Sequence, residues 1–174
     1  MSTRTPVATG RGGAKIVEPL PQLPDAAALT EAWRVMHFAL RAVIAEPDRI
    51  LAARGLTRMH HRILFFVAHS PGMSVGELQT TLDVTKQALN APLRQLQEQG
   101  LIELAKADHD ARVRQIRLTV DGSALEATLT GEQYKLFTDA FVQAGPQAHA
   151  GWRAVMHELA RHIDGQAGEA KTRA

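Results

Sequence analysis

Gln87, Asn90, Ala91 and Arg94 fall at offsets 0, 3, 4 and 7 along the chain, with Lys86 just ahead of them. On a helix this spacing gathers one polar stripe. Asn and Gln carry the paired donor and acceptor that match adenine in the major groove, while Lys and Arg reach guanine or phosphate. Thr85 precedes the stripe as an N-cap, so that a helix would run from it to Gln99 and stop at Gly100. Such a stripe is also what an ordinary solvated helix face looks like, and its meaning depends on its surroundings. A few residues on, Arg112, Arg114 and Arg117 punctuate a segment of alternating polarity. Arg112 lies nearest the tip of that segment, beside Asp108 and Asp110, whose carboxylates suit turn hydrogen bonds and a local ion pair.

Other chemistries find less support. The chain has no cysteine, which excludes thiolate nucleophiles, disulfides and Cys-based zinc sites. Of its eight histidines, His60 and His61 are adjacent and point apart on a helix, and His157 and His162 are five apart. Neither pair has metal-ligand spacing, and no phosphate loop or nucleophile elbow occurs. No enzyme activity, metal or cofactor is expected. The net charge of +2 permits a nucleic-acid partner without arguing for one. No apolar run approaches membrane-spanning length, so a cytoplasmic location without membrane contact is expected.

The elements that must position the stripe follow from periodicity. Residues 1–24, rich in Gly, Pro and basic side chains, read as a flexible arm, with Arg4, Arg11 and Lys15 as its phosphate-reaching candidates. From Asp25, the spacing of Leu29, Trp33, Met36, Leu40 and Val43 predicts a helix ending at or near Glu46, before Pro47. A second helix starts near Thr57 and stops at the turn His69-Ser70-Pro71-Gly72. Ser74 and Glu77 form a capping box for a short third helix through Leu82, with a tight turn at Asp83-Val84. In the helix after Thr85, Val84, Ala88, Pro92, Leu93 and Leu96 are expected to face inward. Pro92 should bend that helix near Ala88–Pro92 without ending it, because it removes one intrahelical bond from the buried side.

Leu101–Leu104 and Val113–Leu118 read as two strands of a hairpin. Two long helices follow, about 121–143 and from Pro146 onward, the second with Trp152, Val155, Met156, Leu159 and Ile163 on one face. Together with the first helix they carry more apolar surface than one small domain buries, which calls for a dimer interface.

Helix, short capped helix, tight turn, helix and hairpin make a winged helix. The segments LTRMHHRILFFVAHSPGMSVGEL, VTKQALNAPLRQLQEQGLIEL and DHDARVRQIRLTVDGSAL bring the chain into resemblance with the MarR family of transcriptional regulators over roughly residues 25–165. The resemblance implies a mainly α fold: a winged helix-turn-helix at about 57–119, dimerisation helices at about 25–46 and 121–165, and a tail at 166–174. It implies a homodimeric, sequence-specific DNA-binding regulator, a repressor released by a small aromatic or phenolic ligand. Double-stranded DNA would be read at a pseudo-palindromic operator with half-sites about 10 bp apart. Thr85, Lys86, Gln87, Asn90, Arg94, Arg112 and Arg114 would contact it, Arg112 entering the minor groove. Where the family often shows two adjacent basic residues in the wing, this chain has Ala111-Arg112. Trp33, His37, Arg41, Met59 and His60 would line the ligand pocket. Ala91, Pro92, Ala111 and the modest charge equally allow a winged-helix protein-interaction module with weak or lost DNA binding.

Overall fold

The computed structural model describes residues 24–106 and 114–172, with side chains for 24–105 and 114–163. Residues 1–23 of the arm, Asp108, Asp110 and Arg112 lie outside the described residues. The chain divides into two compact units, with the boundary between Met36 and His37, inside the first helix. In the first unit the described residues are the opening turns of that helix, begun by the Asp25 carboxylate accepting the Ala28 amide at 2.8 Å.

Six helices and one two-stranded sheet make up the fold among the described residues. They are α1 (Ala26–Ala52), α2 (Arg58–His69), α3 (Val75–Leu82), α4 (Lys86–Glu98), β1 (Ile102–Lys106), β2 (Arg114–Leu118), α5 (Val120–Ala144) and α6 (Pro146–Thr172). The mainly α fold class with a small two-stranded wing sheet is as expected.

α1 corrects one expectation, because it runs through Pro47 to Ala52. A proline inside a helix removes one amide donor, yet Pro47 and Leu51, one turn apart, are both buried. Burying that pair outweighs the lost bond, at about 1.5–3 kcal/mol for a leucine. What stops the helix is Gly55, whose φ of +66° lets Leu56 turn back and donate to the Leu51 carbonyl at 2.9 Å.

The second unit closes around one aliphatic core. Leu51 and Leu56 meet Ile63 and Leu64 of α2, Leu78 and Leu82 of α3, Leu89, Leu93 and Leu96 of α4, and Leu125 and Leu129 of α5. Ile102 and Ile116 add the inner face of the sheet. β1 and β2 pair antiparallel with Leu104 opposite Ile116 and Glu103 opposite Arg117. The Ile116 amide also donates to the Met73 carbonyl at 2.9 Å, fastening the wing to the residue before the N-cap of α3.

Two histidines lie inside this unit, His60 at 3% and His61 at 7% exposure. His60 accepts the Thr57 amide on Nδ1 at 2.9 Å, closing the start of α2. Burial pushes both imidazoles below their ordinary range. The Glu126 and Asp48 carboxylates oppose it at His61, and Gln95 and Thr57 oppose it at His60. A depressed folded-state value means that the unfolded chain takes up protons first. Stability is therefore full above about pH 6.5 and falls as the pH drops below it, by up to about 1.4 kcal/mol per pH unit per histidine. Urea midpoints at pH 7.5 and 5.5 should differ accordingly, and a His60→Asn/His61→Asn double variant should lose most of the difference.

Candidate DNA-reading surface

The helix pair that presents the stripe is set by its caps. Ser74 Oγ accepts the Glu77 amide at 3.1 Å while Glu77 accepts the Ser74 amide at 2.7 Å, the reciprocal box expected from sequence. The Ser74 amide and hydroxyl hold the Glu77 carboxyl below its usual range. Asp83 ends α3 in the left-handed region, φ 50° and ψ 55°, and turns the chain into α4. Arg62 of α2 donates to the Leu82 carbonyl at 3.1 Å, tying that turn to the core. Thr85 then caps α4, its Oγ1 accepting the Ala88 amide at 3.2 Å.

α4 continues unbroken through Pro92. Its buried face differs in phase from the one expected. Ala88 is exposed, and Leu89, Leu93 and Leu96 form the inward stripe with Pro92 half-buried beside them. Three leucines bury far more apolar area than an alanine, so the helix settles with the leucines inward. The outward stripe is unaffected: Thr85, Lys86, Gln87, Asn90, Ala91 and Arg94 are all exposed.

Between α3, α4 and the hairpin runs a groove of about 690 Å³ that brings Lys86, Asn90, Arg94 and Arg114 together with Ser74 and Gln79. Arg114 joins them although it lies twenty residues beyond Arg94. The hairpin register places it at the far end of β2, on the same side as Ile116 but past the core. Arg117, three residues on, is on the opposite side of the strand and borders a separate cleft. Gln87 sits in the first turn of α4 and does not border the groove. Gln79 was not singled out from sequence. Its only signal there was position on the helix preceding the turn, whose outer face the hairpin could also have covered.

Electrostatically the groove is basic. Lys86, Arg94 and Arg114 are its charged side chains, and Arg94 also has Glu98 at 3.4 Å in an exposed pair one turn away. The amides at the start of α4 add the positive end of the helix dipole. Such a surface has the charge to take a polyanion along its length, and Asn90 within it carries a paired donor and acceptor.

The other expected site residues are placed separately. Trp33 is 72% exposed. His37 and Arg41 are exposed on α1, with His37 edge-on to Phe38 at 5.4 Å. Met59 packs half-buried on the core, and His60 lies within it. No group of three or more metal-binding side chains occurs among the described residues. Among them too, no helix is long and apolar enough to cross a membrane.

The sequence profile of the MarR family matches residues 54–113. The HTH-type transcriptional regulator PetP of Rhodobacter capsulatus is 40% identical over 131 residues, covering 75% of this chain and 79% of PetP. The chain belongs to the MarR family. Solved structures share its fold. NadR in complex with 4-hydroxyphenylacetate superposes with a TM-score of 0.62 at 20% identity, over 81% of this chain and 98% of NadR. A MepR variant of S. aureus bound to an oligodeoxyribonucleotide superposes with a TM-score of 0.52 at 18% identity, over 78% and 97%. As a member of the MarR family the protein is a DNA-binding transcriptional regulator, and the family profile covers the chain from α2 through β1.

Proposed function

We propose that this MarR-family protein is a homodimeric repressor, acting in the cytoplasm on a pseudo-palindromic operator and released by a small aromatic ligand. The observation that carries the DNA part is the convergence of Lys86, Asn90, Arg94 and Arg114 on one groove beside α4. Thr85 and Gln87 extend that contact surface on the first turn, and the family resemblance adds Arg112 as a minor-groove contact. Site selection from random DNA should return a motif with two-fold symmetry. Arg112→Ala should weaken binding to it, most at A·T-rich flanks. If selection returns no motif, the reading gives way to a protein-interaction module.

The dimer is supported by apolar side chains that stand exposed among the described residues. Leu29 and Leu40 of α1, Val142 of α5, and Val155, Leu159 and Ile163 of α6 are each more than half exposed. A monomer in water would not keep so many large apolar side chains wet. Light scattering at micromolar concentration should give twice the chain mass of 19.0 kDa.

Release by a ligand is supported by the aromatic acid in the NadR complex and by the residue types of Trp33, His37, Arg41, Met59 and His60. Arg41 or a histidine would pair with a carboxylate, and Trp33 and Met59 would supply apolar contact. Trp33→Ala should abolish the ligand's effect on DNA binding while leaving DNA affinity within about twofold, since a side chain that is 72% exposed carries little folding energy. Equal loss of both functions would remove Trp33 from the ligand site.

A further inference from the structure

The recognition helix is held by more than its leucines. Gln95 on the flank of α4 and Gln99, the C-cap that ends it, lie four residues apart, between the outward stripe and the buried face. Gln95 Nε2 donates to the Gly55 carbonyl at 2.9 Å, and Gln99 Nε2 donates to the Arg54 carbonyl at 3.2 Å. These are the carbonyls of the corner that ends α1. The corner's amides are already committed. Arg54 and Leu56 donate to Leu51 O, each at 2.9 Å, and Gly55 donates to Ala52 O at 3.1 Å. Leu51 and Leu56 anchor the corner in the core at 0% and 4% exposure. The two carboxamides therefore grip a rigid block of backbone, and both ends of the grip are fixed in sequence order and direction.

From this we infer that Gln95 and Gln99 are positioning residues for DNA reading. They set the angle at which α4 presents Gln87, Asn90 and Arg94, by bonding it to the carbonyl corner of α1. The proposal rests on the reading of the protein as a dimeric DNA binder. In such a dimer the angle of each α4 determines the separation between the two reading helices, and so the half-site spacing that is accepted. A leucine core alone leaves a helix free to roll or slide slightly, since apolar contact is non-directional, whereas two hydrogen bonds four residues apart fix both. The consequence is specific to spacing. Phosphate neutralisation by Lys86, Arg94 and Arg114 does not depend on the glutamines, so the salt dependence of binding is retained when they are changed.

The test compares the wild-type protein with a Gln95→Met/Gln99→Met variant, which keeps side-chain length and removes both donors. Each is titrated by fluorescence anisotropy against the operator obtained by site selection, and against the same operator with one base pair inserted or deleted at its centre. Wild type should strongly prefer the native spacing, and the variant should lose about tenfold of that preference, the worth of two net hydrogen bonds. Its salt slope and far-UV circular dichroism should match wild type. An unchanged spacing preference in the variant overturns the proposal. If the wild type itself shows no salt-sensitive binding to any selected DNA, the DNA reading fails. The grip is then judged on amide hydrogen exchange across Leu93–Gln99, where faster exchange in the variant upholds a role in holding α4 and unchanged exchange overturns it.

Discussion

Replacing Gly122 by alanine is expected to destabilise the protein by about 3 kcal/mol or more, at the upper end of what overpacking costs. α5 begins where the recognition helix ends. Thr119 Oγ1 caps α5 by accepting the Gly122 amide at 3.0 Å, and the same hydroxyl donates to the Gly100 carbonyl at 2.7 Å. The Thr119 amide donates to the Leu101 carbonyl at 3.1 Å. This network draws the first turn of α5 against the α4–β1 junction so closely that a Cβ on Gly122 would sit 1.9 Å from Leu101 O. Backbone stands on both sides of the contact, so no side chain can swing away. The helix must lift off the junction, breaking the Thr119 bonds and exposing Leu101 and Leu125, which are 3% and 4% exposed. Gly131 provides the control. It lies in the same helix with nothing near its Cβ position, and Gly131→Ala should stabilise by about 0.5–1 kcal/mol through helix propensity. Urea denaturation of the two variants should shift the midpoint in opposite directions.

The second large effect concerns DNA. Replacing Lys86, Arg94 and Arg114 together by alanine should lower affinity for the selected operator by about a hundredfold or more, since each cation that neutralises a phosphate contributes to the counterion release driving binding. The slope of log affinity against log salt should become shallower by about 2.7, or 0.9 for each of three contacts. Stability should stay within about 0.5 kcal/mol of wild type, because the three side chains are exposed and away from the core. Asn90→Ala should act differently, leaving the salt slope intact while relaxing the base preference at one position. A triple variant with unchanged slope would show that the groove does not follow the phosphate backbone.

Much of the scaffold was legible because its signals are local. The Ser74–Glu77 box, the Thr85 cap, Gly100 and the Gly145-Pro146 break each depend on residues within one turn, and the structure places helix ends at all four. The errors came where distant packing decides. Pro47 reads as a stop in isolation, yet the core needs Pro47 and Leu51 on one buried face, so α1 passes through it. Ala88 shares a helical period with Val84, but the leucines at 89, 93 and 96 outbid it for the interior. The polar stripe was readable because surface residues keep the phase the buried ones leave them. Arg114 was expected among the contacts and Arg117 was not, and the paired hairpin puts Arg114 on the groove and Arg117 on the opposite side of the strand. The bonds from Gln95 and Gln99 span forty and forty-five residues, and nothing in the local sequence marks their carbonyl partners.

The central claim is that the face of α4 bordered by Arg114 binds DNA. Its most direct test is fluorescence anisotropy of the wild-type protein on operator DNA from site selection, measured across 50–300 mM salt (roughly the range over which counterion release is resolved), beside the Lys86/Arg94/Arg114 triple-alanine variant. Wild type should bind tightly and weaken steeply with salt, and the variant should be weaker and flatter in its response. Binding by the folded triple variant with wild-type affinity and wild-type slope would contradict the claim.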